Sequence, residues 1–121
     1  MAEENAVYLG RTWHIRTIVE DIYAGGSSGL NLEFDSESRT HIFFKDSITN
    51  GLRHLYFNKA FWNQTLLDEG PIGHDIEIKI DSHNMFHLVY THVPTNSSLD
   101  SEVRLLRFNE SVETRQVLAR G

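Results

Sequence analysis

The sequence predicts an all-β protein, and three observations carry the prediction. Apolar and polar residues alternate with a period of two along most of the chain, as they do in strands with one covered face. Clusters of Gly, Asn, Ser and Pro interrupt the alternation at short intervals, where turns between strands belong. No window keeps apolar residues at i, i+3, i+4 and i+7 over three helical turns, so no helix is expected.

The elements follow in chain order. Residues 11–22 alternate better than they spiral and read as a strand carrying Trp13. After the turn signal Ala24-Gly25-Gly26-Ser27-Ser28-Gly29, the run Leu30-Asn31-Leu32-Glu33-Phe34-Asp35 alternates without a fault. His41-Ile42-Phe43-Phe44 is a short β-branched and aromatic run, suited to a strand covered on both faces. A turn over residues 46–51 leads into a further alternating run at 52–57, with Arg53 on its polar face. Ile76-Glu77-Ile78-Lys79-Ile80-Asp81, then His87-Leu88-Val89-Tyr90, then residues 103–108 bring the same three types back in the same order. Residues 93–98 read as a loop before the last of them, whose polar face carries Arg104 and Arg107.

That order is an internal repeat. Residues 30–36 lie over 76–82 with the same alternation and the same closing Asp-Ser pair, and a His stands six positions after each Asp, at His41 and His87. Leu52-Arg53-His54-Leu55-Tyr56-Phe57-Asn58 then matches Val103-Arg104-Leu105-Leu106-Arg107-Phe108-Asn109, with Arg, Leu, Phe and Asn coincident. Residues 57–70 align without a gap to 108–121. Tyr8 and Trp13 keep the spacing of Phe57 and Trp62, so an additional Trp-bearing strand opens the chain. The domain is expected over residues 8–121, with repeats at about 8–57 and 58–108, a further strand copy at 109–121, and a tail at 1–7.

Four short strands in just under 50 residues is the size of one propeller blade. Asp35-Ser36…His41-Ile42 and Asp81-Ser82…His87-Leu88-Val89-Tyr90 resemble the Asp-Ser-x-Gly-x-Pro-His-[Ile/Val]-x-Tyr segment of sialidase-like (BNR-type) and fucolectin-like β-propellers. Ser38 or Asn84 stands at the Gly of that pattern, and Thr40 or Phe86 at its Pro. The resemblance spans nearly all of residues 8–121. It implies two four-stranded antiparallel propeller-type blades plus an extra strand. Two blades cannot close a ring, so the resemblance also implies completion as a homo-oligomer, a trimer first and a dimer or tetramer next. The N-terminal strand would then clasp a neighbouring subunit. Alternatively the sheets pack as a dimeric sandwich or barrel.

Composition narrows the function classes. The chain carries 17 Asp and Glu against 11 Lys and Arg, a formal charge of −6, without the basic stripe of a nucleic-acid module. Cys is absent, which excludes disulfides, thiol nucleophiles and Cys-based zinc sites. No apolar run is long enough for a membrane span, and residues 1–4 lack the basic-then-apolar opening of a signal peptide, so a cytoplasmic location is the default expectation.

Candidate ligand-binding residues are Trp13, Trp62, Tyr23, Arg53 and Arg104. An indole face suits a sugar ring, but a Trp recurring on a strand also packs one blade on the next. Arginines on strands are equally well explained by pairing with a carboxylate across the sheet. His41 and His87 read as strand histidines that bond a neighbouring turn, and Asp35 and Asp81 as the residues that cap those turns. His74, Asp75, His83, His87 and His92 form the one dense histidine region, yet His87 and His92 fall on opposite sides of a strand. No metal or cofactor is expected, and no privileged carboxylate pair marks a catalytic site. The expected function is a non-enzymatic, oligomeric binding module, with a carbohydrate as first ligand by resemblance. A structural or protein-interaction subunit is the alternative, and a glycosidase-type hydrolase active on assembly comes third.

Overall fold

The computed structural model describes residues 3–8, 11–18, 30–93 and 101–121. They hold ten strands and no helix. β1 (Glu3–Tyr8) and β2 (Arg11–Arg16) form a two-stranded antiparallel sheet in which Trp13 stands opposite Ala6. β3 (Leu30–Phe34), β4 (Thr40–Lys45), β5 (Leu52–Phe57) and β6 (Trp62–Asp68) form one antiparallel sheet in chain order. β7 (Ile72–Ile80), β8 (Phe86–His92), β9 (Glu102–Phe108) and β10 (Glu113–Arg120) form a second sheet of the same order. Each copy of the repeat thus supplies one sheet. The division expected after residue 57 falls between β5 and β6, which pair along their whole length, so the sheets span residues 30–68 and 72–120. Residues 3–7, expected as tail, lie in β1, and the N-terminal Trp-bearing segment pairs with β1 rather than with either larger sheet.

The residues that coincide between repeats build the turns. Asp35 Oδ1 accepts the backbone N–H groups of Glu37 and Arg39, both at 2.9 Å. Asp81 Oδ1 accepts those of His83 and Met85 at 2.8 and 3.0 Å. Between β5 and β6, Asn58 Oδ1 takes the N–H groups of Ala60 and Phe61, and Asn109 Oδ1 does the same for Ser111 and Val112. A short oxygen-bearing side chain at the turn's first position satisfies N–H groups that the ladder leaves free. Ser38 and Asn84 adopt left-handed backbone, with φ of 62° and 60°, a conformation that Gly takes up most readily. All four turns lie at one end of the two sheets, because each sheet is a meander.

The sheets pack face to face, with β3 beside β7. The first contributes Phe43, Leu52 and Leu67 to a buried core, and the second contributes Ile76, Ile78, Phe86, Leu88, Tyr90 and Leu106. Alternation does the sorting: Ile76 and Ile78 face the first sheet while Glu77 and Lys79 point outward. Burying one such side chain contributes roughly 1.5–3 kcal/mol. At the end away from the four turns, Asp68 of β6 accepts hydrogen bonds from Tyr90 Oη at 2.6 Å and Arg104 Nη1 at 2.9 Å. Arg115 donates to the Leu67 carbonyl, so the sheets are cross-linked by polar groups where the apolar core ends. Gly70, in the link between the sheets, has φ 77°, and a Cβ there would lie 2.1 Å from the Asn50 carbonyl oxygen. That oxygen accepts the Ile72 N–H at 2.9 Å, so the close approach is part of the sheet-to-sheet crossing. Among the described residues no helix is long and apolar enough to cross a membrane.

Candidate functional site: the cleft between the two sheets

Toward the turn-bearing end the two sheets part, leaving a cleft of about 560 Å³. Its first wall is a stack of rings on β4 and β5. Register places His41 opposite Tyr56 and Phe43 opposite His54, and such directly opposed side chains touch on one face of the sheet. His54 lies flat on Phe43, with centroids 4.4 Å apart and planes 2° from parallel, and stacks on His41 and Tyr56 at 5.2 and 5.4 Å. Its second wall is the opposed pair Phe86 and Phe108, stacked at 5.2 Å, with Phe108 meeting His54 edge-on at 5.4 Å. The rim is polar: Arg39, Asn84, Asn109, Glu110 and Glu113 surround the opening. Contacts between repeats fix it. Asn84 Oδ1 accepts the Ser36 N–H, Asn84 Nδ2 donates to Ser36 Oγ, and Arg39 pairs with Glu110 at 3.3 Å.

Under the first wall runs a chain of three polar side chains. Asp35 Oδ2 lies 3.0 Å from His41 Nε2, and His41 Nδ1 lies 2.9 Å from His54 Nε2. All three residues are buried. Burial acts to raise the Asp35 pKa, but hydrogen bonds from His41, from Arg39 and from the turn N–H groups outweigh it, and the carboxyl is held well below its ordinary value. Asp35 is therefore a carboxylate, and His41 Nε2 must carry the proton between them. His54 is pushed down to about 3, first by burial and then by the charge of His41, so it is a neutral imidazole at ordinary pH. When His41 carries a single ring proton, its Nδ1 accepts the N–H of His54 Nε2, and His54 Nδ1 is left as a bare acceptor. The chain thus presents a neutral, oriented imidazole among aromatic rings.

Of the five candidate residues, Trp62, Arg53 and Arg104 do not line the cleft. Tyr23 lies outside the described residues, and Trp13 sits on β2. Trp62 packs on Phe57 at 5.3 Å, on the face of the first sheet turned away from the second. Arg53 shares that face, and its Nε donates to Asp46 at 2.7 Å. Arg104 faces the other way, into the sheet-to-sheet contact, where Asp68 and Glu102 hold it at 2.9 and 2.6 Å. Both arginines are paired, Arg53 with a turn carboxylate and Arg104 with carboxylates of its own strand and of the facing sheet. His41 and His87 bond Asp35 and Asp81 of the adjoining turns at 3.0 Å each. The sequence pattern does not single out His54, Tyr56, Phe86 or Phe108 as site residues. A signal for them exists in the repeat: His54 and Tyr56 stand where the second copy has Leu105 and Arg107, and Phe86 stands where the first has Thr40.

Among the described residues no group of three or more His, Asp or Glu is placed to hold a metal ion. Comparison with protein-family models, with curated proteins and with solved structures gives no match to the chain.

Proposed function

We propose that the chain is a non-enzymatic binding module built of two propeller-type blades, and that its site is the cleft between them. The observation that carries this reading is the lining itself. Aromatic faces at Tyr56, Phe86 and Phe108 stand against a rim of amide, guanidinium and carboxylate groups, in a volume suited to a small molecule. Flat apolar faces beside convergent hydrogen-bonding groups fit a compact polyhydroxylated ring, so a saccharide is the first ligand class. The blade reading is supported by two meanders of equal strand order packed face to face with their first strands adjacent. No chemical step is assigned to the polar chain below the rings. Asp35 is saturated by turn N–H groups, Arg39 and His41, which suits a support rather than an acid or base.

Calorimetric titration against a panel of neutral and acidic monosaccharides tests the reading. Saturable binding to at least one sugar is expected, weakened about tenfold or more by Tyr56→Ala, since removing a stacking ring together with the area it covers costs ~1.4 kcal/mol. Silence across the panel, with the protein folded, removes the saccharide proposal.

A further inference from the structure

The floor of the cleft holds an acceptor with nothing to accept from. His54 is 5% exposed and lines the cleft, and its Nε2 is taken up by His41 Nδ1 at 2.9 Å. Its Nδ1 bonds no described residue. Nor is that atom sealed in the core: among the described residues, the enclosed side-chain nitrogens without a partner are Asn63 Nδ2 and His92 Nδ1. Asp35 keeps a proton on His41 Nε2, so a singly protonated His41 leaves the His54 proton on Nε2 and a lone pair on Nδ1. A nearly buried acceptor that opens into a cleft calls for a donor from a ligand.

The charge of the lining says which donor. The carboxylates of Asp35, Glu37, Glu110 and Glu113 face one guanidinium, Arg39, which leaves three negative charges in excess (four less one). Full protonation of His41 and His83, also in the lining, still leaves one. Arg115, outside the lining, meets Glu113 at 3.4 Å and offsets part of that excess. Arg39 itself is not available to an anion, because Asp35, Glu37 and Glu110 hold its three nitrogens at 2.7, 3.1 and 3.3 Å. The rings of Tyr56, Phe86 and Phe108 line the same space, and the face of an aromatic ring attracts a cation.

We propose that the ligand of this cleft carries a protonated amine, which donates to His54 Nδ1 under the field of the surrounding carboxylates. The inference rests on reading the cleft as a saccharide site, and on that reading the ligand is an amino sugar. A neutral sugar brings the acceptor a hydroxyl without charge. An N-acetylated sugar keeps an N–H and loses the charge, and an acidic sugar sets a like charge against the carboxylates.

Calorimetric titration tests this with glucosamine and galactosamine, each beside its neutral parent and its N-acetylated form, and with cyclohexylamine as an amine on a ring that is not a sugar. At a pH where the amines are protonated, an amino sugar should bind about tenfold more tightly than its parent and its acetylated form. The ratio of amino-sugar to parent affinity should shrink as salt is raised to about 0.5 M. It should shrink again in the double variant Glu110→Gln and Glu113→Gln, whose side chains lie exposed on the rim, and approach one in His54→Leu. Each variant is checked for native sheet content by far-UV circular dichroism. Cyclohexylamine binding as tightly as the amino sugars upholds the amine and removes the saccharide reading. A parent sugar that binds as tightly as its amino sugar overturns the proposal and leaves the saccharide reading standing. A ratio indifferent to both the double variant and His54→Leu overturns it as well, as does the absence of binding by every amine to the folded protein.

Discussion

Mild acid should weaken this fold through one side chain, His54, before the carboxylates respond. Its imidazole is held at about 3 against an ordinary 6.5, first by burial and then by the charge of His41. As pH falls below 6.5 the unfolded chain takes up a proton there and the folded chain does not. The stabilisation is therefore complete above 6.5 and is lost as pH falls from 6.5 toward 3. One proton of difference changes stability by about 1.4 kcal/mol per pH unit, so His54 alone removes about 3 kcal/mol between about pH 7.5 and about pH 4.5. Asp35, Asp46 and Asp68 are all held below the ordinary 3.8, so what they contribute is present above 3.8 and lost only at lower pH. The interval between belongs to His54. Urea unfolding followed by circular dichroism at the two pH values measures the effect. His54→Leu, which copies Leu105 of the second repeat, should remove most of the difference between them. If wild type and variant lose the same stability over that interval, the burial argument for His54 is wrong.

Other positions give sharper, smaller tests. Gly70→Ala should cost more than about 1 kcal/mol, since it adds a Cβ 2.1 Å from the Asn50 oxygen at a positive φ; an unchanged thermal midpoint would contradict that geometry. Asp68→Ala should cost at least about 2 kcal/mol by leaving Tyr90 and Arg104 without their shared acceptor at the sheet-to-sheet contact, and a small change in the urea midpoint would show that contact to be loose. The two copies of the turn aspartate should differ. Asp35→Asn, buried and bonded to both Arg39 and His41, should cost about 2 kcal/mol, while Asp81→Asn on the exposed copy should leave the melting temperature nearly unchanged. Equal losses would mean that burial of the first copy is not what matters.

How far the sequence can be read depends on whether a residue's role is local. Asp35, Asp81, Asn58 and Asn109 bond N–H groups two to four positions away, so their meaning is contained in a short window, and their recurrence exposes it. The strands, too, are local: alternation at 30–35 and 76–81 needs only the pleat. The cleft is different. His54 meets Phe108 only because one sheet lies on the other, and no spacing in the chain records that. The same holds for Arg104, whose alternation suggests a solvated face but whose partner, Asp68, belongs to the other repeat. Tryptophan is a natural candidate by its chemistry, yet Trp62 lies on the face away from the cleft. A better guide is present in the sequence. Positions where two copies agree are those that both sheets require, such as the Asp and Asn of the turns and the Leu55 and Leu106 pair. Positions where they differ, and where the structure points them into shared space, are free of that requirement. His54 against Leu105, Tyr56 against Arg107 and Arg39 against Met85 are three such differences, and all three first-repeat residues line the cleft. Divergence between copies inside one chain thus separates the residues that make each sheet from those that give this cleft its own lining.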